Sequence, residues 1–264
     1  MSDLELVKHI GTESTRFRAV LQSAKPDAAV PTCPDWDVAD LVWHLTEVQY
    51  FWAAVVRQQR TTLAEVEAED LRRPTGFPEL LRTADRCARD LVEVLRRTPP
   101  ATPVWTWAED QSAGFVLRRQ AHEALIHRVD AECVTGARTP MDAALAADGV
   151  DEALRVMFGG APSWATLTVD EHATLRVVSS DTGHRWAVNL ARYAGTDEEG
   201  HEQEGPTLAI APVDHLLPAV ATVTASAADL DCWLWGRPPL GDVGLSGDVA
   251  VLAGLREVVA AGVQ

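Results

Sequence analysis

The chain has 264 residues, 47% of them hydrophobic, with a formal net charge of -16 and a pI near 4.8. That length and apolar content support a real core in one or two domains. The acidic balance argues against nucleic acid as a partner, because phosphate binding needs a cationic face, and implies mainly solubility.

The first residues, Met1-Ser2-Asp3-Leu4-Glu5, carry neither a basic n-region nor an apolar h-region, so no signal peptide is expected. Residues 3–23 set Leu4, Val7, Ile10, Phe17, Val20 and Leu21 on roughly one face of a helix. The stretch Val30-Pro31-Thr32-Cys33-Pro34-Asp35-Trp36 breaks it. Asp37 is a good N-cap for a second helix, and Asp40 three residues on resembles a capping box. This helix runs to about Arg60 on a stripe of Leu41, Leu45, Val48, Trp52 and Val55, and His44 lies on that stripe. A third helix spans about 77–98 and stops before Pro99-Pro100. A fourth spans about 114–135 and stops at Gly136. Four amphipathic helices predict a four-helix bundle over residues 1–140, whose core is a natural place for a metal.

The pattern changes over residues 141–264. One helix is expected from Asp142 to Met157. Short β-type runs follow at 165–169, 174–178, 186–190 and 221–225, with the acidic segment 195–205 read as an exposed loop. Helical pattern returns at about 227–235 and 248–260, so the second domain reads as α+β. No apolar run is long enough to span a bilayer. The four cysteines (Cys33, Cys87, Cys133, Cys232) are scattered and form no C-x-x-C pair, which fits a reducing cytosol. The expectation is a soluble cytoplasmic protein with neither nucleic-acid nor membrane partners.

The chemistry-bearing residues sit in the bundle. Glu123 and His127 are four apart on the fourth helix. At about 100° per residue their side chains fall within about 40° of each other. His122, five before His127, points about 140° away. Arg119 and Asp130 extend the stripe. A buried ionisable stripe is unfavourable unless its members pair or bind a metal. With His44 they make three corners of a metal polyhedron with at least one position open, as in catalytic sites. The competing readings are a solvated charged face for the stripe and a hydrogen-bonded core residue for His44. Trp36 and Trp43 would line a cleft or serve packing. Cys33, just before Pro34 in a capped loop, reads as structural.

The run Cys33-Pro34-Asp35-Trp36-Asp37-Val38-Ala39-Asp40-Leu41-Val42-Trp43-His44-Leu45 resembles the first signature of the mycothiol-dependent maleylpyruvate isomerase family. Residues 119–132, with His122-Glu123-Ala124-Leu125-Ile126-His127 at their centre, resemble the second. Residues 147–152, the run Leu234-Trp235-Gly236-Arg237-Pro238-Pro239-Leu240 and Leu245-Ser246-Gly247-Asp248 resemble the family's C-terminal part. The resemblance spans nearly the whole chain. It implies a DinB/YfiT-like metalloenzyme bundle followed by an α+β domain similar to sterol-carrier folds. It also implies a divalent metal, usually zinc, on His44, Glu123 and His127, and mycothiol as thiol cofactor. Many actinobacterial members share these motifs while acting on different substrates. In the family a C-terminal arginine assists catalysis. Arg237 is the nearest match, against the plainer reading of an arginine capping helix-terminal carbonyls.

A metal-bound thiol loses its proton near neutral pH, and thiolate is the reactive species in addition and displacement. The implied function is therefore a mycothiol-dependent cis-trans isomerase or S-transferase acting on a small electrophile, with a substrate carboxylate suited to Arg237. A thiol-independent metallohydrolase and a non-catalytic ligand- or partner-binding protein are the alternatives.

Overall fold

The structure is a computed structural model that describes residues 1–66, 71–211 and 219–262. The chain divides into two compact units, Met1–Pro140 and Met141–Gln264. The first contains α1 (Asp3–Leu21), β1 (Ala29–Val30), β2 (Cys33–Asp37), α2 (Val38–Gln58), α3 (Leu63–Val66), α4 (Phe77–Arg97) and α5 (Ala113–Thr135). Four long helices form a ring in which α1 and α2 each pack against both α4 and α5. The α1/α4 and α2/α5 seams therefore lie on opposite sides of the bundle.

The helical faces follow the apolar spacing. Helix α4 buries Leu80, Ala84, Ala88, Leu91 and Leu95. Helix α1 buries Leu6, Val7, Ile10, Phe17 and Leu21. Leu4, expected on that face, is exposed in the first turn, and Leu6 takes the inward place. Residues expected only to break the first helix instead build an antiparallel β1–β2 hairpin. Hydrogen bonds from Val38 N to Ala28 O and from Ala39 N to Pro26 O tie it to the start of α2. The α2 cap is reciprocal. Asp37 accepts from Asp40 N at 2.8 Å, and Asp40 accepts from Asp37 N at 3.2 Å.

Helix α5 is buried along most of its length although it is rich in charged residues. On its α1 side the charges pair. Arg128 donates to Glu13 at 2.8 Å and to Glu132 at 2.9 Å, and Arg16 reaches Glu132 at 3.0 Å. Thr139 donates to Glu132 through both N and Oγ1. Burial alone would raise the Glu132 carboxyl, but Thr139, Arg16 and Arg128 together hold it below the ordinary value.

The second unit begins with α6 (Ala143–Glu152), which runs into a turn of π-helix at Ala153–Met157. It continues through β3 (Ala165–Ser179), β4 (Arg185–Thr196), β5 (Glu202–Ile210), β6 (Ala221–Ala225), α7 (Ala227–Leu234), β7 (Gly244–Gly247) and α8 (Val249–Ala261). The sheet order is β5-β4-β3-β6-β7, with β6 parallel to β3 and the other pairs antiparallel. Leu154, Leu230 and Leu255 from the helices pack with Leu175, Val188 and Val223 from the sheet. The architecture is thus a helical N-terminal domain followed by an α+β domain. Two local expectations are corrected. The runs at 165–169 and 174–178 are one strand, interrupted by a bulge between Val169 and Thr174. The acidic segment 195–205 is mostly strand, with Thr196 paired to Glu202. Glu202, Gln203 and Glu204 are all exposed, so no inside-outside alternation marks them as strand in the sequence. Among the described residues, no helix is long and apolar enough to cross a membrane.

The α1–α5 charge network generates a stability prediction. Arg128→Met strands Glu13 in the core and removes a donor from Glu132. It should lower stability by about 3–5 kcal/mol, read by chemical denaturation.

Candidate metal centre

Each donor reaches the α2/α5 seam from a well-fixed element. The capping box sets the start of α2, and His44 follows two turns later. Helix α5 is capped by Ser112, which accepts from Phe115 N, and ends at Gly136 in the left-handed conformation. That conformation suits a residue without Cβ. Between these ends Glu123 and His127 project one turn apart.

One ligating atom from each of His44, Glu123 and His127 lies within 4.8 Å of the others. His127 Nε2 is 3.0 Å and His44 Nε2 3.4 Å from Glu123 Oε1. The other carboxylate oxygen accepts from Arg119 Nη2 at 2.8 Å. His127 Nδ1 donates to Asp130 Oδ2 at 2.9 Å, and Asp130 is fully buried. The sequence stripe Arg119-Glu123-His127-Asp130 is therefore a connected chain of contacts rather than a solvated face. His122 is fully buried and stands outside the three-donor group.

The aromatic surroundings were less legible. Trp36, delivered by β2, lies with its ring centroid 4.6 Å from that of His44 and 6.2 Å from that of His127. It also packs against the bundle core, as does Trp43. Cys33 Sγ sits 3.9 Å from Asp130 Oδ2, so this half-buried thiol touches the group that orients His127. Neither contact has a spacing signature, because both depend on how the irregular segment before α2 folds back as a hairpin. Arg237 belongs to the second unit, just beyond α7, where its Nη1 donates to Trp235 O at 2.6 Å.

The electrostatics of the three donors are set by one another and by Arg119 and Asp130. Burial would push the Glu123 carboxyl up. The Arg119 charge and hydrogen bonds from His127 and His44 outweigh it and hold Glu123 well below the ordinary carboxylate range. Burial would likewise depress His127, but hydrogen bonds to Asp130 and Glu123 overcome it and raise the ring to about 9. At neutral pH the metal-free ring is an imidazolium that donates on both sides. Once its Nε2 proton leaves, Asp130 keeps the remaining proton on Nδ1 and the Nε2 lone pair faces Glu123. Two imidazoles and one carboxylate form a donor set that suits zinc and other first-row divalent ions. Asp130 supplies the outer carboxylate that such histidines commonly require.

The chain matches the mycothiol maleylpyruvate isomerase N-terminal domain over residues 7–132 and the MDMPI C-terminal domain, from the same enzyme, over residues 144–254. The chain belongs to this family. Two solved structures share the family's fold with it. One is a crystal structure of the mycothiol-dependent maleylpyruvate isomerase, with 14% identity and a TM-score of 0.58. The other is a histidine-to-alanine mutant of that isomerase, with 13% identity and the same TM-score. Each alignment covers 94% of this chain and 95% of the other. No curated protein matches the chain.

Two predictions follow from the geometry. Asp130→Asn removes the carboxylate behind His127 and should weaken zinc binding by about 10–100-fold, measured by competition with a chromogenic chelator. His127 is raised from 6.5 to about 9 in the folded, metal-free chain. Its stabilising contribution is therefore full below pH 6.5 and disappears as pH rises through about 9. An incoming ion must displace that proton. Apparent zinc affinity should climb with pH up to about 9, with about one proton released per ion in calorimetry at pH 7.5.

Proposed function

We propose that this chain is a metal- and mycothiol-dependent enzyme that isomerises, or transfers the thiol to, a small electrophilic substrate bearing a carboxylate. In this reading His44, Glu123 and His127 hold zinc or another divalent ion, and Arg237 is the catalytic residue that receives the carboxylate. Family membership supports a thiol-dependent isomerase. The observation that carries the metal assignment is the convergence of three donors within 4.8 Å, with Asp130 fixing His127 from behind.

A divalent ion bound here would supply Lewis acidity and favour the thiolate form of a thiol at neutral pH. The chain's own groups prepare the place. Arg119 holds one oxygen of Glu123 and leaves the other directed at both imidazoles. Trp36 packs its ring against that of His44 and lies within 6.2 Å of that of His127. In the second unit, Arg237 carries a guanidinium fork of the kind that binds a carboxylate through two parallel hydrogen bonds.

For the isomerase, the thiolate adds to a carbon of a double bond conjugated to a carbonyl. The electron pair moves to the carbonyl oxygen and the former double bond rotates as a single bond. Return of that pair re-forms the double bond and expels the thiolate, so thiol is regenerated. In the transferase alternative, the carbon–sulfur bond persists: after addition the enolate takes a proton on the neighbouring carbon, or in displacement the attacked carbon releases its leaving group with the bonding pair.

The deciding experiment assays maleylpyruvate isomerisation and a panel of electrophiles with mycothiol. Chelation, or His44→Ala with the fold intact, should reduce turnover by about a hundredfold or more, and zinc should restore the chelated protein. Arg237→Ala should impair carboxylate-bearing electrophiles more than neutral ones. Full turnover in metal-free protein would overturn the proposal. Turnover without thiol would indicate a metallohydrolase, and absence of turnover with every electrophile would favour a binding protein.

A further inference from the structure

The α1/α4 seam, on the side of the bundle away from the three donors, carries a groove of about 660 Å³. Four arginines line it: Arg18 from α1, and Arg82, Arg86 and Arg89 from α4. Arginines at 82, 86 and 89 have i, i+4 and i+7 spacing, so they share one helical face. The lining contains a single acid, Asp85. In a chain with formal net charge -16, this is a local inversion of sign.

Like charges so spaced repel, and a helix gains nothing from the crowding by itself. Asp85 relieves only part of it. Its two oxygens contact Arg18 Nη2 at 2.6 Å and Arg89 Nη1 at 2.5 Å, so one carboxylate is shared between two guanidinium groups. Arg18 has only 16% of its side-chain surface exposed. Burial and the neighbouring Arg89 pull its pKa down, against the opposing pull of Asp85. Arg82 and Arg86 are exposed and make no ion pair among the described residues. Asp85 thus orients one guanidinium from each wall, while two more stand uncommitted on the same face.

We propose that this groove is a binding site for a small anion carrying two or more phosphoryl groups, held by Arg82 and Arg86 with Arg18 and Arg89 as the fixed pair. Planar guanidinium forks match phosphate oxygens through paired hydrogen bonds. Several converging cations favour a ligand with more than one charged group over a monoanion. A groove of 660 Å³ has room for a diphosphate and an attached organic group. This inference is independent of the metal centre, which lies on the α2/α5 seam.

The test titrates inorganic pyrophosphate into the full chain by calorimetry at low salt, alongside Arg82→Ser/Arg86→Ser. Both substituted residues are exposed, and an unchanged thermal unfolding midpoint confirms that the variant folds. The wild type should give saturable binding that weakens as salt rises. The double variant should bind about tenfold more weakly for each guanidinium removed, while thiol-dependent turnover stays unchanged. Co-sedimentation with phosphatidylcholine vesicles containing a phosphoinositide bisphosphate separates the sources. Retention lost in the variant assigns the groove to a lipid headgroup, whereas pyrophosphate binding without retention assigns it to a soluble phosphate. Absence of saturable binding to either probe, or equal binding by wild type and variant, overturns the proposal.

Discussion

Helix α5 is enclosed on nearly every side and still carries arginines, glutamates, histidines and an aspartate. Charge removed from water must be matched locally, and this requirement governs the first unit. The helix meets it differently on its two faces. Toward α1, Arg128 and Glu132 find partners in Glu13, Arg16 and Thr139. Toward α2, Glu123 is held by one guanidinium and two imidazoles, with Asp130 behind the second ring.

The two solutions have different chemical consequences. The α1 face is complete with the chain's own atoms and serves cohesion. The α2 face balances its charge with a titratable proton on His127, between Glu123 and Asp130. One buried surface ties the bundle together, while the other, built by the same rule, gathers the three candidate donors. The hairpin before α2 is part of this arrangement, since it lays Trp36 over the imidazoles and brings Cys33 to Asp130.

Much of this was legible in the sequence because it rests on periodicity. Helical spacing located the four long helices, and four-residue spacing placed Glu123 and His127 together. The Asp37–Asp40 cap was readable from residue type alone. The contacts of Trp36 and Cys33 were not, because they depend on how an irregular segment folds back. The acidic arm at 195–205 hid its strands for the opposite reason: with both faces wet, its residues record no difference between inside and outside. The arginine groove was invisible in a net charge of -16, since composition averages over surfaces that structure separates.

The Arg128–Glu13 contact joins residues 115 positions apart, and Arg16–Glu132 joins residues 116 apart. During synthesis, α1 leaves the ribosome long before its ionic partners exist. Its inward acid, Glu13, waits in water until α5 emerges. The α1–α5 ion pairs can therefore form only once nearly the whole first unit is available, and their buried charges become dry only when their counterparts arrive.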